Sequence, residues 1–469
     1  MKTSFHSGCH HAQTSRGSRR RLVVKALSVV APASVVLLGA IGHAHAITYY
    51  VDTSSIPAGE IRGNDGYCSL AEAIAAANAG ANRYNCTGSG SGSGTQTIVL
   101  RQASGKSFSA YPYNIGALTI NSPGRVVSIQ SSGGRAKIRF TSNSTNTSAF
   151  HLHTSVQFWS LDMTHTGTIG RFIYIRAGAA AAVYDSKLSG GNVTGFSDGY
   201  GGAIQNHGTL DLGFGTQLTN NAADNGGAIH NQNGRINVYD ATLEGNSATR
   251  AGGGIYNISS TSVFGRGTAY ISGTGMKIRH NTAPAGGGVF NRGSQVVLSA
   301  PQIHYNTASG SGSGEICHAG KSCDGNGAGA LNISSGGIGA YFEVMSADIR
   351  GNSASGRGGG AYVGGEASLY NTAIAMNDAL TGGALYVIED TPVRYCEVRT
   401  INGGTATIED NEATADWGFS VVDGDGLTGE GGAHCKFHNE PGGTFNAQDN
   451  SDDKCEAGRA SESGTNLCQ

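Results

Sequence analysis

Charge is scarce in this chain: 14% of its 469 residues are Asp, Glu, Lys or Arg, and the totals nearly cancel, 31 basic against 33 acidic. A disordered linker needs high charge and few β-branched residues, so that class is excluded. Proline is rare too, with 8 residues, and there are only 2 Trp. Collagen needs abundant Pro and Gly at every third position, and neither holds. Strong helix formers with a 3.5 or 3.6 period are confined to one short stretch, which excludes a coiled coil or an α-solenoid. No nucleophile elbow, phosphate loop or haem motif appears. What the chain has in excess is glycine, 75 residues, and that many must serve repeated turns.

The first 46 residues read as an export signal. Ser18-Arg19-Arg20-Arg21 and Lys25 form a basic segment, Ala26 to Gly42 a mostly apolar one interrupted by Pro32, and Ala44-His45-Ala46 an A-x-A cleavage site. The apolar segment is shorter than the roughly 20 residues that span a bilayer. Sec and twin-arginine export both fit. Removing this segment takes away six Lys/Arg, leaving 25 basic against 33 acidic residues, a net −8. That balance argues against nucleic acid as a partner and provides no polybasic patch for a membrane. The mature chain is expected to lack a transmembrane segment and to be secreted or held at the cell surface. Eight cysteines remain, an even number that suggests disulfides in an exported protein. Eight allow 105 pairings; sequence proximity favours Cys68 with Cys86, Cys317 with Cys323 and Cys455 with Cys468, leaving Cys396 for Cys435.

A two-part repeat runs through the second half. Its first part is Leu/Ile-x-x-Asn, ending at Asn221, Asn246, Asn281, Asn306, Asn352, Asn377 and Asn411. Its second part is a Gly pair, a small residue and an apolar residue, often followed by x-Asn, as in Gly226-Gly227-Ala228-Ile229-His230-Asn231. Asn221 to Asn246, Asn281 to Asn306 and Asn352 to Asn377 are each 25 residues, and the other steps are 35, 46 and 34. Twenty-five residues make three short strands and three turns, one coil of a right-handed parallel β-helix. In that fold Leu or Ile fills the core. The Asn tolerates a left-handed turn and bonds its equivalents above and below, and the Gly pair permits close approach. Alternating segments upstream, such as Lys137-Ile138-Arg139-Phe140 and Phe172-Ile173-Tyr174-Ile175, supply the first coils. The expected organisation is a cap over 47–115 with a helix at 69–78, a β-helix of ten or eleven coils over 116–411, and a C-terminal cap over 412–469. The helix is predicted from the capping-box spacing of Ser69 and Glu72 and from the apolar face of Leu70, Ala73, Ile74 and Ala77.

Cys68-Ser69-Leu70-Ala71-Glu72-Ala73-Ile74, followed by Asn78, resembles the CSLREA-type motif of exported bacterial β-helix proteins, with Ala71 where the family usually has Arg. The Gly-Gly-Ala-Ile and Leu/Ile-x-x-Asn repeats are similar to those of the chlamydial polymorphic outer membrane proteins. Together these resemblances span about residues 47–411 and imply a β-helix of the adhesin-like kind. The chlamydial proteins end in a translocating barrel; after Asn411 only 58 residues remain, so attachment by a barrel is not expected.

Several groups are candidate sites. The first variable position of the Leu/Ile-x-x-Asn copies forms a column of Thr219, Glu244, Arg279, His304, Arg350, Ala375 and Glu409. Two readings fit it: a solvated ladder of cross-strand charge pairs, or an anionic-glycan groove that includes Glu244 and has Arg279, His304 and Arg350 at its centre. Asp423, Asp425 and Glu430 alternate with glycines like a Ca²⁺ loop, without the spacing of an EF-hand. His434, Cys435 and His438 have zinc-ligand chemistry, although no helix is expected to align them. Insertions around Cys317 to Cys323 and around Arg394, Tyr395, Cys396 and Arg399 form side loops, either binding surface or tolerated decoration. Two functions follow: a non-catalytic protein that binds a glycan or cell-surface ligand, or a polysaccharide lyase or glycosidase with converging carboxylates.

Overall fold

The computed structural model describes residues 47–52, 66–90, 94–101, 107, 112–142, 148–260, 262–263, 266–318, 321–388, 396–414, 420–422, 435–438 and 442–448. All of them belong to the unit His45–Gln469. The proposed export signal lies outside the described residues.

These residues form a parallel β-helix. One sheet holds eleven strands, one per coil; a second holds 23, because most coils bend within it and contribute two; a third holds seven short strands. The 23-stranded sheet runs through thirteen rungs, from Ile47–Asp52 to Cys435–His438, which at one strand spacing each give a solenoid about 60 Å long. The ladder begins where Ile47–Asp52 pairs with Gln96–Arg101 and ends where Thr405–Glu409 pairs with Thr444–Gln448. The segments expected to form caps therefore contribute strands as well.

The repeat explains the packing. Leu188, Leu218, Leu243, Ile278, Ile303, Ile349, Ile374 and Ile408 lie in register from coil to coil and are all buried. Two polar ladders run beside this stack. Asn221, Asn246, Asn281, Asn306, Asn352, Asn377 and Asn411 are linked amide to amide at 2.9–3.0 Å. Asn206, Asn231, Asn257, Asn291 and Asn332 form the second ladder at 2.7–2.8 Å. The left-handed turn expected at the first set of Asn falls one residue earlier, at Asn220, His280, Tyr305, Met376 and Asp410, with φ of 53–54°. The Asn itself is buried with its amide committed to the next coil, so the turn passes to its exposed neighbour.

The Gly pair divides two tasks. Gly226 has φ of 70°, which favours glycine. Gly227 has an ordinary φ, but a Cβ there would meet the carbonyl oxygens of Gly253 and Ser247 in the next coil.

The helix covers the first coil. It runs Leu70–Ala79, with Ser69 and Glu72 forming a reciprocal capping box and Gly80 ending it at φ 63°. Leu70, Ala73, Ile74 and Ala77 are buried, and Asn78 Nδ2 donates to Thr119 O at 2.9 Å. The Cys68–Cys86 disulfide joins the N-terminal end of the helix to the segment that follows it.

Candidate functional site

The outward positions of the coils line up into columns, so each strand face is a site candidate. Register places Thr219, Glu244, Arg279, His304, Arg350, Ala375 and Glu409 side by side. Their charges pair locally. Arg279 Nη2 lies 3.1 Å from Glu244 Oε2, both side chains about 40% exposed at 42% and 39%. Asp348, two residues before Arg350 and on the same face of its strand, takes Arg350 Nε at 2.6 Å. Its other oxygen lies 3.2 Å from His304 Nε2, an ion-pair distance without hydrogen-bond alignment. Burial holds the His304 imidazole below its usual range, against the pull of Asp348. One coil earlier, Lys277 approaches Asp240 at 3.3 Å. An anionic ligand would have to displace these carboxylates from Arg279 and Arg350.

A second face of the 23-stranded sheet carries aromatic side chains that the repeat pattern does not single out. Trp159 and Tyr184 are register neighbours with ring centroids 4.5 Å apart. Phe214 lies 5.8 Å from Trp159 and 5.2 Å from Tyr184, and is 62% exposed. Its position follows from Gly213-Phe214-Gly215: the register shifts between Gly213 and Thr216, and Phe214 adopts φ of 54°. A non-glycine residue there costs about 1–2 kcal/mol, and so exposed a ring recovers little of it by burial. Polar groups flank the rings. Asp185 accepts from Ser160 Oγ at 2.7 Å and pairs with Arg135 at 2.8 Å. Burial, with Asp211 and Tyr239 nearby, pushes the Tyr184 phenol up to about 12, so it stays protonated at neutral pH. The signal for this site was Gly-Phe-Gly within an otherwise alternating strand, the mark of a bulge.

The disulfide insertion folds back instead of projecting. Cys317 and Cys323 are bonded and buried, in one cluster with Tyr256, Phe290, Leu331 and Tyr362 of the eleven-stranded sheet. Glu315 anchors it: Arg292 Nη1 lies 2.6 Å away, Arg250 Nη2 3.6 Å, and Tyr256 Oη donates at 3.3 Å. Cys396 is disulfide-bonded too, and its register neighbour is Cys435.

Asp423, Asp425, Glu430, His434, Arg394, Tyr395, Cys455 and Cys468 lie outside the described residues. His438 lies in the strand Cys435–His438. Among the described residues, no three His, Cys, Asp or Glu are placed to hold a metal ion, and no helix is long and apolar enough to cross a membrane. No family model, curated protein or solved structure matches the chain.

Proposed function

We propose that this is an exported, non-catalytic β-helix protein of the CSLREA kind, secreted or held at the cell surface, that binds a glycan along one outward face. The observation that carries this reading is the Trp159–Tyr184–Phe214 group. Half-buried Trp159 and Tyr184 with the exposed Phe214 ring, beside hydrogen-bonding groups, suit the apolar face and polar rim of a sugar ring, and Phe214 stands at a left-handed turn that Ser160, Asp185 and Asp240 fill in neighbouring coils. Tyr239 continues the column one coil beyond Gly213, so the face runs along the solenoid axis, as an extended chain requires.

A glycan array with the purified full chain, followed by calorimetry on the best neutral oligosaccharide, tests the reading. Phe214→Ala and Trp159→Ala should each weaken binding at least tenfold with the circular dichroism spectrum unchanged. Binding that ignores both substitutions, or no binding to any glycan, would overturn it.

The lyase or glycosidase reading draws on one place, where Asp348 joins His304 and Arg350. Release of unsaturated or reducing-end products from an acidic polysaccharide, abolished by His304→Ala, would favour it over simple binding.

A further inference from the structure

The outward face of the eleven-stranded sheet collects histidines and arginines over its early coils. His151, Tyr174, Gln205 and His230 are successive register neighbours. Beside them, past the inward-facing Leu152, Ile175 and Asn206, stand His153, Arg176 and His207. The rings form a continuous surface, with His151 5.3 Å from Tyr174 and Tyr174 5.6 Å from His207. At the far end His230 is sandwiched between Tyr200 at 4.5 Å and Tyr256 at 5.3 Å, where the docked disulfide insertion begins.

Two features separate this face from an ordinary polar surface. First, buried polar atoms beneath it have no hydrogen-bond partner: Arg171 Nε and Nη1, Gln205 Oε1 and His230 Nδ1, on residues only 1%, 4% and 2% exposed. Such atoms cost stability and are rare unless a site needs them. Second, the charge is unbalanced. Asp198 is taken up by Arg171, which donates to its carboxylate at 2.7 Å and its carbonyl at 2.8 Å. Arg176 is exposed and, among the described residues, has no ion-pair partner; its Nη1 lies only against His153 Nδ1 at 3.3 Å.

We propose that this face is a second binding site, for a saccharide that carries a carboxylate or sulfate. Tyr174 with the flanking His151 and His207 takes the sugar ring by stacking, and the Arg176 guanidinium with His153 takes the anion. Protonation reinforces the site. Burial, aided by Arg171 and opposed by Asp198, holds His151 and His207 below the usual imidazole range; His153 also depresses His151. A bound anion raises both, against the hydrogen bonds that His151 Nε2 accepts from Ser148 N–H and that His207 Nε2 shares with Gln205, so ligand uptake and proton uptake favour each other and affinity rises as the solution becomes acidic.

The test is calorimetry on the full chain with three probes of equal length: oligogalacturonate, a heparin-derived oligosaccharide and a neutral malto-oligosaccharide, at pH 5.5 and 7.5. At least one anionic probe should bind, several-fold more tightly at pH 5.5, and the neutral probe at least tenfold more weakly. Which anionic probe binds identifies carboxylate or sulfate. Arg176→Ala should lower affinity at least tenfold, Arg176→Lys should recover part of it, and Lys137→Ala, on the 23-stranded sheet, should leave it unchanged. Absence of binding by both anionic probes, equal binding of the neutral one that survives Phe214→Ala, or indifference to Arg176→Ala would each overturn the proposal. Loss with Phe214→Ala alone would assign the anionic glycan to the aromatic face instead.

Discussion

The side-chain oxygen of Asn306 accepts two hydrogen bonds from Asn281, one from the backbone N–H at 3.1 Å and one from Nδ2 at 3.0 Å. The same Asn281 amide donates to the carbonyl of Leu243 at 3.0 Å, one coil earlier. Each Asn thus closes backbone groups at a turn, where the sheet ladder is interrupted, and couples the coils on either side. Buried backbone groups must be paired, and this arrangement meets that need without water.

Asn281→Ala should therefore cost more than the loss of one contact. It strands the backbone N–H of Asn246, which now bonds Asn281 Oδ1 at 3.0 Å, together with the Leu243 carbonyl. With each buried unsatisfied group worth about 1–3 kcal/mol, the expected loss for the two is about 2–6 kcal/mol. Glu244→Ala, which breaks only the half-exposed pair with Arg279, should cost less than about 1 kcal/mol. Urea melts of the two variants measure the contrast, and similar midpoints would reject it.

Glycine should show a comparable split. In Gly227→Ala the new methyl group would press on backbone carbonyls of the next coil, which cannot move without breaking the ladder. Overpacking of this kind should cost about 3 kcal/mol or more. A methyl at Gly133 meets nothing within 4 Å, and its φ is not left-handed, so Gly133→Ala should be neutral or stabilising by up to about 1 kcal/mol. Thermal denaturation of both variants decides whether close approach or mere glycine content matters.

The coil was legible because one motif carries both its core residue and its ladder residue, at a spacing that the insertions interrupt without erasing. The Glu244, Arg279, His304 and Arg350 column followed from the same spacing and does lie in register. Asp348 could have been found with them, since strand residues two apart share a face. The Trp159, Tyr184 and Phe214 group was legible only in part: Gly213-Phe214-Gly215 marks the bulge, but the group lies largely upstream of the regular repeat, and the bulge moves Phe214 out of the column that counting assigns. The histidine–arginine face depends on register between coils of unequal length, which the sequence alone does not supply.

Register also bears on the cysteines. Cys396 and Cys435 are direct neighbours in a parallel ladder, and adjacent strands, about 4.8 Å apart, fall within the usual Cα separation of a disulfide, about 4.4–6.8 Å. A peptide map of the unreduced protein should yield Cys396 linked to Cys435, beside Cys68 linked to Cys86 and Cys317 linked to Cys323. Recovery of Cys396 with Cys455 or Cys468 would show that the ladder neighbours are not bonded.

His230 makes acid stability a readout of packing. Burial, with His207 and Arg171 nearby, pulls its imidazole down to about 3, whereas an unfolded histidine titrates near 6.5. The folded state therefore keeps a neutral ring while the unfolded chain takes up a proton. The stability tied to this group is complete above pH 6.5 and is lost as pH falls towards 3, by up to about 1.4 kcal/mol per pH unit. His230→Phe keeps an aromatic ring between Tyr200 and Tyr256 and removes the titration. Carboxylates still titrate in both proteins, so the difference between them isolates the imidazole. Melting temperatures at pH 7 and pH 4.5 should fall further for the parent chain than for the variant, and equal falls would mean that His230 is not held neutral in the folded state.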